Sequence, residues 1–401
     1  MYLQAETEFG LNFLTTLPVN ESVVFSPISI ALALAILHVG ARGNSRDQIR
    51  DVLLNGTTYE QFIDHFSFMN KNINQTHQRV EQYYDWDSVD AVKKNRTVGV
   101  EVLVANRVYL KKYFTIKPEF LSTSRQRYNA DAKILPSSVA DAVAEIDSFV
   151  NASTKGKINK IAQPDMIENC VVIIVNAIYF KGDWQSPFEV VDSRNKMFTT
   201  VSGQLIEMQF MIKNEENLEF SSDDVFDVLH LLYKISDFKL SIFLPKQKNS
   251  LNQALKSLKP ERFQMLLSDT SRTLLHVELP KFKIETKLDN LVDNLKALGL
   301  TDIFKLETAD LSGIARNIYV GKGIHKAIIE VGDHKNNVIL YYQVKVDERG
   351  TVAAAVTIFG IEGGSYNRYV PSKPKDFIAN HPFLYALSYQ NHPLFMGVFH
   401  K

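Results

Sequence analysis

Four hundred and one residues, 45% hydrophobic and 22% charged, describe an ordinary folded chain with ample apolar material for a large core. Lys plus Arg and Asp plus Glu both number 45, so the formal charge is zero, which argues against a dedicated nucleic-acid binder. Eighteen Gly and thirteen Pro are too few for a disordered or collagen-like chain, and the single Cys170 cannot close an intramolecular disulfide.

The chain starts Met1-Tyr2-Leu3-Gln4-Ala5-Glu6, with no basic start followed by an apolar run, so no classical signal peptide is read there. Residues 6–16 carry Phe9, Phe13 and then Leu17 at helical spacing. Ser26-Pro27 opens a second helix as a capping serine with proline at the first helical position. That helix covers residues 28–39, stops near Gly40, is too short to cross a bilayer and fits a buried helix. Residues 45–54, 58–73 and 141–154 are further helices. The five Asn-x-Ser/Thr sequons, at Asn20, Asn55, Asn74, Asn95 and Asn151, matter only in a secreted chain and are read as chance. Residues 74–97 are polar and mixed and read as a loop.

Strands dominate the later chain, at residues 100–110, 171–180, 228–233, 239–244, 274–284, 328–331, 383–389 and 394–400. Cys170 opens an apolar run, where a buried inert thiol is expected. Gly321-Lys322-Gly323 reads as a turn. Helices and strands interleave without a strict βαβ rhythm, which predicts an α+β architecture in one large domain. Residues 360–375, with Gly360, Gly363, Gly364, Pro371 and Pro374, form a long exposed loop, and a loop of that length in a compact domain is usually functional.

Searches for catalytic motifs fail. There is no phosphate loop, no His-Glu-x-x-His helix, no cysteine pair for a metal and no Gly-x-Ser-x-Gly elbow. The expectation is a protein that is not an enzyme and that has no cofactor and no metal.

The informative stretch is residues 347–359, Asp-Glu-Arg-Gly-Thr-Val-Ala-Ala-Ala-Val-Thr-Ile-Phe. With period two, Thr351, Ala353, Ala355 and Thr357 share one face, while Val352, Ala354, Val356 and Ile358 share the other. From composition alone, a short helix or an alanine-containing strand is the plainer reading.

Five segments narrow the choice. They are Phe25-Ser26-Pro27-Ile28-Ser29-Ile30, Asn176-Ala177-Ile178-Tyr179-Phe180-Lys181-Gly182-Asp183-Trp184, Leu279-Pro280-Lys281-Phe282-Lys283-Ile284-Glu285, Ala309-Asp310-Leu311-Ser312-Gly313-Ile314 and His325-Lys326-Ala327. With residues 347–359 and the ending His381-Pro382-Phe383 and His392-Pro393-Leu394-Phe395-Met396-Gly397, their order resembles the serpins over essentially the full length. The wording looks like an intracellular-type serpin, closest to nematode members.

The resemblance implies a metastable serpin fold with three β-sheets and eight or nine helices. It implies one domain over residues 1–401, with the hinge and an exposed reactive-centre loop at 347–375. It further implies a protease inhibitor that acts as a suicide substrate on a serine protease, or on a cysteine protease. The hinge residues would be Glu348, Gly350, Thr351, Ala353, Ala354 and Ala355. The cleaved bond would be Gly364–Ser365, with Tyr366 and Arg368 as alternatives. Ser26, Ser29, Asn176, Trp184 and His325 would govern opening of the main sheet. The expected partner is the target protease alone, with no nucleic acid and no membrane, and the chain is expected to be a cytoplasmic monomer. The runner-up is a non-inhibitory serpin, acting as a binding or chaperone-like module. One departure stands out. Twenty-five positions separate His325 from Gly350, against about ten in the family, and removing residues 332–346 would restore the pattern by joining Val331 to Asp347.

Overall fold

The computed structural model describes residues 2–18, 20–74, 77–85, 92–168, 170–189, 192–284, 286, 288, 290–330, 344–346 and 373–401. The hinge at 347–355 and the candidate bonds at Gly364, Ser365, Tyr366 and Arg368 lie outside the described residues.

The first 73 residues are mainly helical as their periodicity predicts, with α1 at Tyr2–Thr15, α2 at Pro27–Gly40, α3 at Gly43–Leu54 and α4 at Tyr59–Ile73. The Ser26 hydroxyl accepts the Ser29 N–H at the start of α2, and Thr58 and Gln61 form a capping box on α4. Every residue of α2 is buried, because a helix apolar on all sides, with Ser29 and His38 its only polar side chains, has no face to give to water. The remaining helices are α5 (Pro118–Tyr128), α6 (Val139–Ser153), α7 (Pro164–Glu168), α8 (Leu251–Ser257), α9 (Pro260–Ser268) and α10 (Leu291–Ala297). Ten helices among the described residues exceed the expected eight or nine, and α7 is a single short turn of five residues.

Two sheets carry the rest. Among the described residues the smaller has seven strands: β2 (His77–Asp85), β3 (Val92–Leu110), β4 (Asp131–Ile134), β5 (Val172–Gly182), β11 (Phe282–Ile284), β12 (Val320–Glu330) and β13 (Val344–Val346). Its order is β11-β13-β12-β5-β3-β2, with β4 also on β3. The larger has nine: β1 (Val23–Phe25), β6 (Arg194–Thr199), β7 (Leu205–Ser222), β8 (Phe226–Leu232), β9 (Phe238–Pro245), β10 (Ser271–Pro280), β14 (Lys375–Ile378), β15 (Phe383–Tyr389) and β16 (His392–Phe399). Three sheets were expected. Two of them merge because β7 is eighteen residues long and pairs with β6 and β10 along most of its length and with β8 at its end.

Three local expectations are corrected. Within the expected loop at residues 74–97, residues 77–85 and 92–97 are strand, since β2 pairs antiparallel with β3 from His77↔Val100 to Asp85↔Val92. Among the described residues β2 is the last strand of its sheet, and its sequence lacks the apolar run that marks a central strand. The run at 274–284 divides at Lys281, which lets β10 and β11 join different sheets. Gly321 and Gly323 are not a turn but lie inside β12. A Cβ on Gly321 would sit 3.1 Å from Cys170 Cα, and one on Gly323 would meet the Leu291 side chain at 2.9 Å. The glycines are there for close approach.

β5 is covered on both faces. Val172, Ile174, Ile178 and Phe180 pack into the main core with α2, while Ile173, Val175, Ala177 and Tyr179 pack into a second cluster beneath Ala142, Ile146 and Val150 of α6. Cys170 is buried at the edge of that cluster, and burial pushes its thiol up, as an inert cysteine requires.

Candidate functional site

The seam between β5 and β12 is the candidate site. The two strands run parallel and pair from Val320↔Val172 to Glu330↔Lys181, with His325 opposite Asn176. They are joined by a long excursion, residues 183–319, so their pairing is a long-range contact. The outer edges of this pair are occupied, by β3 on β5 and by β13 on β12.

A buried polar cluster lies under the middle of the seam, between the sheet and the start of α2. Asn176 is its hub. Its Oδ1 accepts from the Ser29 hydroxyl and lies 3.1 Å from His325 Nδ1, and its Nδ2 donates to Asn106 Oδ1. The Ser26 N–H donates to His325 Nε2 at 3.4 Å, and the Ser26 hydroxyl donates to the Leu394 carbonyl at 2.6 Å. These contacts fix one tautomer, with the proton on Nδ1. The cluster is neutral, and its carboxamides and imidazole each have a partner. Across the seam itself, the His325–Asn176 contact is the side-chain bond of the cluster that joins β12 to β5.

Four of the five residues expected to govern opening therefore meet: Ser26, Ser29, Asn176 and His325. Trp184 does not join them. It lies eight residues beyond Asn176, about 26 Å along an extended strand. There it stacks on Tyr233 with centroids 4.4 Å apart, and the Tyr233 ring fills the space a side chain on Gly182 would need. That places Trp184 at the end of the seam, where β5 and β12 both stop. Asn106 is a member that sequence reasoning missed. Its signal was a lone carboxamide in the apolar run of β3, opposite Asn176 in register.

Burial alone drives the His325 imidazole down to about 3. Its folded value is below its unfolded one, so its contribution to stability is complete above about pH 6.5 and is lost as pH falls toward 3. Buried His38 and His230, both held at about 3, and His400, at about 4, act with the same sign. His325→Gln isolates one of them. The expected result is a stability profile between pH 6 and 4 that is flatter by up to about 1.4 kcal/mol per pH unit. Urea unfolding at pH 4, 5 and 6 measures it, and an unchanged slope would show that His325 is not held neutral.

The described part of the fifteen-residue excess is β13. It runs parallel to β12 through Ile329↔Val344 and Glu330↔Lys345, and antiparallel to β11. It therefore occupies the edge of β12 that faces away from β5.

The family profile described as "Serpin (serine protease inhibitor)" matches residues 4–401. A leukocyte elastase inhibitor from Xenopus tropicalis is 31% identical over 91% of this chain and 89% of its own length. Serpin B11 from Homo sapiens is 30% identical over 98% of this chain and 97% of its own length. Among solved structures, Serpin48 of the insect Tenebrio molitor superposes with a TM-score of 0.79 at 24% identity, covering 100% of this chain and 98% of that one. Uncleaved ovalbumin superposes with a TM-score of 0.78 at 23% identity, covering 100% of this chain and 99% of that one. These likenesses span nearly the whole length of each protein, and none of the four is a nematode protein.

Proposed function

The chain belongs to the serpin family, and from that membership we propose that it inhibits an endopeptidase of the serine class, or of the cysteine class, by trapping it. It is not an enzyme, since its family is one of inhibitors. The protease nucleophile attacks the Gly364 carbonyl, the bond to Ser365 breaks, and the departing amine takes a proton. Tyr366 and Arg368 are the alternative sites of attack. The acyl bond then tethers the protease to the cut end. The severed segment, led by Thr351, enters between β5 and β12.

The observation that carries this reading is the pairing of β5 and β12. Two parallel neighbours can be parted by a third strand that runs antiparallel to both, and a chain folding back from the β12 end has that direction. One parallel ladder is then exchanged for two antiparallel ones, which are the stronger per residue. Entry needs small residues with no proline, because every backbone donor of a central strand is used. Thr351, Ala353, Ala354 and Ala355 meet that demand, and Glu348 and Gly350 complete the proposed hinge.

A non-inhibitory binding module is the second reading, and the fifteen-residue excess before the hinge favours it. The position of β13 on the outer edge of β12 weighs for the inhibitor instead. The single free, buried Cys170 suits the cytoplasm, where we place the chain as a monomer. Incubation with a panel of serine and cysteine proteases tests the reading. The expected result is an SDS-stable complex with at least one of them, and clean cleavage without a complex by every protease would favour the module.

A further inference from the structure

After residue 372 the chain re-enters the larger sheet through β14, which is the fixed end of the proposed inhibitory loop. By strand physics β14 is weakly held. It is four residues long and, among the described residues, lies at the sheet edge and pairs in parallel with β10 alone, from Leu275↔Lys375 to Glu278↔Ile378. Its later half is well anchored. Phe377 is buried, the Ala379 N–H donates to the Glu278 carbonyl at 2.9 Å, and the Thr199 N–H donates to the Asn380 carbonyl at 2.8 Å. Those ties all lie at or beyond Phe377, on the side away from the loop.

On the loop side stands Lys375. Its ammonium group lies 4.1 Å over the Phe220 ring of β7 and 3.0 Å from Asp227 Oδ1 on β8, so one side chain reaches across β10 to two further strands. Asp227 is itself held in place. The Ser222 hydroxyl donates to it at 2.8 Å, and Lys246 Nζ stands 3.8 Å away. The clamp therefore combines a cation over a buried ring with a carboxylate that cannot swing away.

We infer that Lys375 is a positioning residue for the attack on the loop: clamped on Phe220 and Asp227, it fixes the point at which the loop leaves the sheet and so orders the loop for the docking protease. The inference rests on the inhibitory reading for the meaning of the loop. Its logic is one of pre-organisation, because a loop with a loosened end loses more freedom on docking. The clamp acts only before the cut. Once the chain is severed, the segment that would enter the sheet is no longer joined to β14, so Lys375 has no hold on the outcome.

The test separates these two stages. In Lys375→Met, which keeps the aliphatic stem over Phe220 but removes the charge, the second-order rate of inhibition should fall roughly three- to fivefold. The stoichiometry of inhibition should stay unchanged. Asp227→Asn, which alters a residue two strands away from β10, should slow the reaction in the same way, and Lys375→Arg should restore the rate. An unchanged rate, or a change in stoichiometry alongside it, would overturn the assignment. The rate of loop cleavage by the same protease, followed by mass spectrometry, gives the answer even without trapping. Slower cutting in Lys375→Met with no complex in either protein would retain Lys375 as a positioning residue and reject the inhibitory reading. Equal cutting would reject Lys375 itself.

Discussion

Thr351→Arg is expected to turn the protein from an inhibitor into a substrate. The protease would still cut the loop, because the change is thirteen residues before Gly364. Trapping would fail, because the acyl-enzyme has two fates, hydrolysis or entry of the cut segment beside β5. The faces of β5 are buried in two separate clusters, so a strand placed next to it meets packed side chains and not water. An arginine at the leading position would bring an unpaired charge under that cover, at a cost of several kcal/mol. Each 1.4 kcal/mol added to the barrier for entry shifts the partition toward hydrolysis about tenfold. The stoichiometry of inhibition should therefore rise by at least tenfold, while Thr351→Ala, which stays small, leaves it near the parent value. Titration against a fixed amount of protease reads both. An unchanged stoichiometry in Thr351→Arg would mean that residue 351 does not enter the sheet.

A single proteolytic cut within residues 360–372 is expected to raise the thermal midpoint, the reverse of what a nick in an exposed loop normally does. New backbone bonds on the two flanking strands are largely offset by the entropy of ordering the entering residues. The surplus comes from burial of Val352, Val356 and Ile358, which share one face. At about 2–3 kcal/mol each, those three side chains supply roughly 7 kcal/mol. Unfolding entropy of about 2 cal/mol/K per residue makes one degree equal to roughly 0.8 kcal/mol in a chain of 401 residues. The rise should therefore be about 10 °C. Differential scanning calorimetry on intact and cut protein measures it. Replacing Val356 and Ile358 with serine should remove most of the gain without altering the intact protein. If β13 obstructs entry, the cut form will gain nothing, and deletion of residues 332–346 should restore the rise.

How far the sequence reached depends on how local the determining physics is. The start of α2 was readable because Ser26 and Pro27 are a cap and a first-turn proline, both local signals, and the cap also serves the buried cluster. Asn176 and His325 were readable only through motif resemblance, since nothing local says that strands 149 residues apart are neighbours. Asn106 escaped for the same reason. A single asparagine in an apolar strand has no meaning until its opposite number in register is known. Gly321 and Gly323 misled because glycine signals turns and close contacts alike, and only the positions of Cys170 and Leu291 distinguish them. The merging of two sheets escaped because it follows from the length of β7, which is an outcome of pairing and not of propensity. Lys375 gave no sequence signal, because its partners on β7 and β8 are distant in the chain.

Trapping by this chain requires that the seam between β5 and β12 accept a strand. A crystal structure of the chain cut once within residues 360–372 answers this directly. In the intact protein His325 and Asn176 are register partners on adjacent strands, spaced about 4.8 Å. The account predicts that in the cut protein a strand led by Thr351 lies between them, antiparallel to both, and that their separation doubles to about 9.6 Å. Unaltered pairing of His325 with Asn176 in the cut protein would contradict it.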